Sequence, residues 1–157
     1  MADLKWEQVC TEFEVDGSLR DIYILQTDTH VWQRVIEVIR SEGYRLEFFC
    51  DDKPMPFPAE VNTVFRLRES SSCLLKIYVA TIQLNCHFFG DGEIEFDLDP
   101  REIMGQVQLE LLFHFMRLLA NSVDASVSLT PENLSSHPIF TVQPGCCEIH
   151  YDPFYPL

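Results

Sequence analysis

The chain has 157 residues, of which 46% are hydrophobic and 12% aromatic, and its formal net charge is −14. This length fits one hydrophobic core, because larger chains tend to divide into several domains, so we expect a single domain over residues 1–157. Such an acidic surface excludes nucleic acids and anionic membranes as partners, since both require clustered lysine and arginine. It favours a basic protein as the partner.

The two halves of the chain differ in charge. Residues 77–157 contain only Arg101 and Arg117 as basic residues, against eleven acidic ones. The N-terminus, M-A-D-L-K-W-E-Q, has acidic residues where a secretion signal would begin with basic and apolar ones. We therefore expect a soluble, cytoplasmic protein whose six cysteines are reduced thiols rather than a disulfide framework.

The first predicted element is a hairpin. Apolar residues alternate imperfectly before and after D-G-S at 16–18, which indicates strands near 5–15 and 19–27. Asp-Gly is typical of the turn between two such strands, because it supplies the positive φ angles that a tight turn requires.

A helix is expected next, over residues 28–42. Its apolar residues recur with helical spacing, Asp28 or Thr29 can cap its first turn, and Gly43 can end it. Strands should then follow at Y-R-L-E-F-F-C-D-D, at V-N-T-V-F-R-L (61–67) and over 74–89, where Ala80 and Thr81 bend or split the last one.

The second half is predicted to contain the main core helix. The strand E-I-E-F-D-L ends at Asp99-Pro100, with Glu102 three positions after the aspartate, which is the pattern of a capped helix that starts near residue 100. Short strands are expected at A-S-V-S-L-T, I-F-T-V-Q and C-E-I-H-Y, and T-P-E-N at 130–133 resembles a brief helical start. Because strands and helices do not alternate, we predict an α+β fold: a single domain with a mostly antiparallel sheet and two main helices, about 28–42 and 100–121, packed on it.

One stretch, C-H-F-F-G-D-G-E-I-E-F-D-L-D-P at 86–100, concentrates carboxylates. A strand sends alternate side chains to opposite faces, so Glu93, Glu95 and Asp97 share one face. That face is either solvated, or a surface for a partner, or part of a metal site. A metal site needs at least three converging oxygen ligands, whereas residues two apart on a strand point in parallel, so another segment would have to complete it.

The cysteines and histidines give little support for a metal or a nucleophile. Cys86 and His87 are adjacent and should face opposite sides of a strand, and Cys146, Cys147 and His150 lack the C-x-x-C spacing of structural zinc sites. We expect these thiols to be small core residues and expect no cofactor. The chain also lacks G-x-S-x-G and the glycine-rich phosphate loops.

Three aromatic residues lie in proline-rich segments, which are usually exposed. Phe57 belongs to K-P-M-P-F-P-A, and Phe154 and Tyr155 belong to the terminal Y-D-P-F-Y-P-L. They are candidate anchors for a partner, because aromatic residues concentrate binding energy in interfaces. The alternative is that the segments fold back and cover a sheet edge.

Two stretches, S-L-R-D-I-Y-I at 18–24 and C-H-F-F-G-D-G-E-I-E-F-D-L-D-P-R-E-I at 86–103, resemble small, uncharacterised bacterial proteins that are similar to the immunity proteins of toxin systems. The resemblance extends over most of the chain. It implies a cytosolic antidote that binds a toxin domain and has no catalytic residues of its own.

The leading functional hypothesis is therefore a non-enzymatic acidic binding module that occludes a basic protein, such as a nuclease toxin. Its predicted surface comprises the acidic residues Asp91, Glu93, Glu95 and Asp97, with Glu148 and Asp152 nearby if the last strands pair there, and the anchors Phe57, Phe154 and Tyr155. One alternative is a hydrolase or metal-dependent transferase that uses the same carboxylates with His87 or His150. Another is a structural subunit of an oligomer.

Overall fold

The computed structural model describes residues 4–146 and 148–155. In this part of the chain the α-helices are α1 (Trp6–Val9), α2 (Thr29–Ser41), α3 (Val61–Arg68) and α4 (Gln106–Val123), and short 3₁₀ helices span Cys10–Phe13 and Pro100–Glu102. The strands are β1 (Arg20–Leu25), β2 (Arg45–Cys50), β3 (Lys53–Met55), β4 (Cys73–Val79), β5 (Ile82–His87), β6 (Glu93–Leu98), β7 (Val127–Pro131), β8 (Phe140–Val142) and β9 (Ile149–Tyr151).

The strands of the described residues form one antiparallel sheet in the order β3-β2-β4-β5-β6-β1-β7-β8-β9. Alternate strand residues such as Ile22, Ile77 and Phe96 join helix residues such as Trp32 and Leu119 in one core. The side chains between them lie on the opposite side of the sheet, which we call the open face. The predicted α+β fold is confirmed.

Several local predictions agree with the structure. The helix expected over 28–42 is α2, and the carboxylate of Asp28 accepts a hydrogen bond from the backbone N of Val31 at 2.9 Å. The stretch 74–89 is divided into β4 and β5 at Ala80, whose φ of 54° closes the turn.

The strand expected near 5–15 is wrong, because this segment is helical. Trp6, Val9 and Phe13 are three and four residues apart, so one side of a helix carries all three to the core. The rings of Trp6 and Phe13 stack with centroids 5.8 Å apart. The turn at 16–18 exists, with Gly17 at φ 85°, but it connects a 3₁₀ helix to β1 rather than two strands.

The strand expected at 61–67 is also wrong, because α3 occupies this segment. Val61 and Val64 are buried, a spacing of three that fits a helix facing the core. Both are β-branched residues, which favour strands in isolation, but burial against α2 outweighs that preference here.

The helix expected from residue 100 begins later. Asp99 does cap a turn, with its carboxylate accepting from the backbone N of Arg101 at 2.9 Å, but this turn is a 3₁₀ helix of three residues. Glu102 does not complete the capping box; its carboxylate accepts from the backbone N of Gln83 at 3.0 Å. The chain is then extended at Ile103 and Gly105 before α4 begins. The segment T-P-E-N at 130–133 forms the end of β7 and a turn, not a helix.

Candidate functional site

The centre of the open face holds two buried carboxylates, Asp21 on β1 and Asp97 on β6. They lie directly opposite each other, and their residues are 2% and 8% exposed. Asp97 accepts a hydrogen bond from Asn85 Nδ2 at 2.8 Å, and its other oxygen lies 3.0 Å from His87 Nε2. The sequence places Asp97 on a surface for a partner, whereas the structure gives it a mostly buried position.

Asp21 has its own set of hydrogen-bond donors. One carboxylate oxygen accepts from the backbone N of Asn133 at 2.7 Å and from the hydroxyl of Tyr23 at 3.2 Å. The loop after β7 therefore covers this side of the open face. Two buried carboxylates in one site are tolerated because each accepts hydrogen bonds from two different groups.

The pKa values of Asp21 and His87 are both raised at this site. Burial raises the pKa of Asp21, and the charge of Asp97 adds to that rise, against the hydrogen bonds from Asn133 and Tyr23. The hydrogen bond to Asp97 raises the pKa of His87, although burial opposes it. Both side chains thus hold a proton more readily than they would in water.

Two further acidic residues of β6, Glu93 and Glu95, lie at the start of this strand, and Asp91 lies in the turn just before it; we call the three residues the acidic rim. Asp91 and Glu93 are exposed and Glu95 is half-buried. Burial, then the charges of Asp21 and Glu93, raise the pKa of Glu95. Among the described residues, none of the three forms an ion pair with lysine or arginine. In the described part of the chain, the negative charge of the rim is thus offset only in part, by Tyr23 and His87 acting on Glu95.

A groove of about 450 Å³ lies beside the acidic rim. Its wall includes Tyr23 and Leu25, which are the strand partners of Glu95 and Glu93. Leu25 is 49% exposed, so the groove offers an apolar contact next to the carboxylates. The remaining lining is small or polar: Gln26, Ala125, Ser126, Ser128 and Ser135.

The predicted residues Glu148 and Asp152 do not join the rim. They flank β9, which pairs with β8 rather than β6. Because β1, β7 and β8 lie between β6 and β9, the strand spacing of about 4.8 Å separates the two groups by roughly 19 Å. Both residues are exposed and form a separate acidic position at the end of the sheet.

The three predicted aromatic anchors have different positions. Phe57 packs against Phe48 with ring centroids 5.2 Å apart, and the guanidinium of Arg40 lies 4.2 Å from the centroid of its ring, so it covers the core. Tyr155 is half-buried against Arg20. Phe154 is 42% exposed and remains accessible.

No three His, Cys, Asp or Glu side chains in residues 4–146 and 148–155 are grouped so that they could hold a metal ion. Cys86 is buried in the core, where burial raises the pKa of its thiol, whereas His87 lies on the open face. His150 lies on β9, at the end of the sheet. Cys147 is outside the described residues.

No family model matches the chain, and no curated protein matches it significantly. Within the described residues, none of the helices has the length and apolar character of a membrane-spanning segment.

Sequence reasoning did not identify Asp21, Tyr23 and Asn85 as part of this site. The signal for the first two was present, because R-D-I-Y-I alternates and places Asp21 and Tyr23 on the polar side of β1. The pairing of β1 with β6, which brings them to the rim, joins residues far apart in the sequence.

Proposed function

We propose that the protein is a non-enzymatic binding module whose acidic rim and adjacent groove receive a basic protein. The observation that carries this proposal is that, among the described residues, no lysine or arginine pairs with Asp91, Glu93 or Glu95, whose neighbouring strand β1 lines an open groove. Such a surface steers a basic partner by long-range attraction and repels other acidic proteins.

The groove suits a lysine or arginine side chain of the partner. Leu25 and the ring of Tyr23 can contact the aliphatic part of that side chain, while Glu95 contacts its charged end. Burial, and then the charges of Asp21 and Glu93, raise the pKa of Glu95, and a bound cation would counter those charges. A toxin nuclease, whose phosphate-binding surface is basic, is the partner that the resemblance to immunity proteins implies, and binding there would occlude its active site.

The test is a pull-down from an extract of the protein's own cells at low salt, followed by affinity measurement with the recovered partner. We expect the double variant Glu93→Gln/Glu95→Gln to associate several-fold more slowly, and the wild-type complex to weaken as salt rises from about 0.05 to 0.5 M. The matched control is Glu69→Gln/Glu110→Gln, which removes the same charge from two exposed positions, one just after α3 and one on α4. Equal loss in both double variants, or no basic protein recovered with the wild type, would contradict the proposal.

A second candidate function is hydrolysis with His87 as general base. The observation that favours it is the 3.0 Å contact between His87 Nε2 and Asp97, which orients a partly exposed imidazole. His87→Gln should then abolish hydrolysis of ester or phosphoester test substrates. Wild-type protein that is inactive on both substrate classes would remove this candidate.

A further inference from the structure

Two cysteines, Cys50 and Cys73, lie directly opposite each other on the neighbouring strands β2 and β4. Both are free thiols; Cys73 is buried and Cys50 is partly exposed. Residues that face each other in an antiparallel pair direct their side chains to the same side of the sheet. The two sulfur atoms are therefore neighbours, although the residues are far apart in the sequence.

The turn after β2 determines how these two residues pair. Asp51 and Asp52 have positive φ angles of 50° and 64°, as in a two-residue type I′ hairpin turn, and Cys50 is paired with Lys53 across it. The residues that flank such a turn bond to each other, so the backbone N–H and C=O of Cys50 point towards β3 and away from β4. In agreement, the backbone N of the next residue, Asp51, donates to the backbone O of Ser72, which directly precedes β4, at 2.8 Å.

Cys50 and Cys73 are thus a non-hydrogen-bonded pair, the kind whose side chains approach most closely. Such pairs have Cα atoms about 4.5 Å apart, and disulfides span Cα separations of about 4.4 to 6.8 Å, so the backbone need not move. We propose that Cys50 and Cys73 form a reversible cross-strand disulfide when an oxidised small thiol is present. Disulfides of this kind inside cells are usually transient and redox-sensing.

The oxidation proceeds by two thiol–disulfide exchanges with a disulfide such as oxidised glutathione. Cys50, the more accessible thiol, loses a proton and attacks one glutathione sulfur, which forms a mixed disulfide and releases the first glutathione thiolate. The thiolate of Cys73 then attacks the sulfur of Cys50 and releases the second. The two cysteines give up two electrons and two protons in total, and the oxidised glutathione takes them up to become two glutathione thiols.

The second exchange should be the slow one. Burial, with a smaller effect of the Cys50 thiol, raises the pKa of Cys73 to about 11. Only the thiolate attacks, so closure of the disulfide accelerates as the pH rises. Among the other described cysteines, Cys86 lies opposite Leu75 and Phe96 and has no thiol as its strand partner.

The experiment treats purified full-length protein with oxidised glutathione, blocks the remaining thiols and maps the peptides without reduction. We expect a peptide pair linked through Cys50 and Cys73 that disappears on reduction. In Cys73→Ala, glutathione should remain on Cys50 at about ten times the wild-type level, because no second thiol displaces it. Cys10→Ser, which changes a partly exposed cysteine elsewhere, should leave the linkage intact.

Two outcomes would overturn the proposal. One is wild-type protein that keeps glutathione on Cys50 without forming the linkage; the other is a Cys50 that stays unmodified while the exposed Cys146 reacts. Circular dichroism checks that the variants fold. Independently of any variant, oxidised wild-type protein should unfold at a higher temperature than the reduced form, because the linkage restrains the unfolded chain between Cys50 and Cys73.

Discussion

At the scale of single residues, Arg20 is the charged side chain whose position needs the most explanation, because none of it is exposed. Its guanidinium donates to the backbone oxygens of Glu12 at 2.7 Å, Leu19 at 3.0 Å and Glu14 at 3.1 Å. Its flat face lies 4.5 Å from the centroid of the Tyr155 ring. Arg20 thus holds the chain between the first helical segment and β1 in place.

Arg20→Lys should destabilise the fold even though the charge is kept. An ammonium group cannot make three directed hydrogen bonds in one plane or stack on an aromatic ring, so one buried and two partly buried carbonyls lose donors. We expect the free energy of unfolding in urea to fall by about 2 to 4 kcal/mol. Arg34→Lys, at an exposed position on α2, is the control and should change it by less than about 0.5 kcal/mol. Equal stability of the two variants would contradict this role for Arg20.

At the scale of elements, the C-terminal segment is attached to the N-terminal helical region through one carboxylate. Glu12 is fully buried and accepts hydrogen bonds from the hydroxyl of Tyr151 at 2.7 Å and from the backbone N atoms of Phe154 and Tyr155 at 3.3 and 3.1 Å. Burial, and then the bond to Glu12, raises the pKa of Tyr151. The first and last described parts of the chain are therefore joined.

Glu12→Gln should loosen this attachment. The amide has one acceptor oxygen without charge, and its NH₂ group faces donors that it cannot satisfy. We expect a loss of about 1 to 3 kcal/mol in the free energy of unfolding and faster chymotrypsin cleavage after Phe154. Glu14→Gln, at an exposed position nearby, should leave both unchanged. Cleavage at the wild-type rate in Glu12→Gln would show that the carboxylate does not hold the segment.

The elements also show which parts of the structure the sequence could predict. Helical spacing and the Asp28 cap together predict α2, and the alternation of acidic and apolar residues predicts β6. The segments at 6–13 and 61–67 differ from the prediction because their few apolar residues fit both periods. The acidic rim could be predicted from the stretch 91–95 alone, whereas Asp21 and Tyr23 come close to it only through strand pairing that local patterns do not encode.

At the scale of the whole molecule, the raised pKa values make stability depend on pH. The pKa of His87 is raised in the folded state. The stability that protonated His87 contributes to the fold is therefore fully present below the ordinary pKa of 6.5 and is lost as the pH rises through the raised pKa. Asp21 and Glu95 also have raised pKa values when folded, so they destabilise the folded state at neutral pH and this effect disappears as the pH falls through those values. In the opposite direction, Asp16 and Asp99 have lowered pKa values and lose stabilisation in stronger acid, below their ordinary value of 3.8.

We therefore expect the urea midpoint of unfolding to rise from pH 8 to about pH 5 and to fall again below about pH 4. As the pH falls towards 5, the chain of net charge −14 becomes less negative, and the weaker repulsion among its charges also stabilises the folded state. His87→Gln separates the contribution of His87 from that of the carboxylates. It should flatten the change above the ordinary histidine pKa of 6.5, while the change at lower pH that Asp21 and Glu95 cause remains. A wild-type midpoint that is higher at pH 8 than at pH 5 would contradict this prediction.

The place of β1 inside the sheet sets an order of events during synthesis. β1 is made before both of its partners, which begin at Glu93 and Val127. At roughly 5 to 20 residues per second, the ribosome needs several seconds to complete them, and Ile22 and Ile24 have no strand beside them in that time. An unpaired apolar strand readily binds other chains. Nascent chains that stop before β7 should therefore depend on a chaperone more than chains that include β7 do.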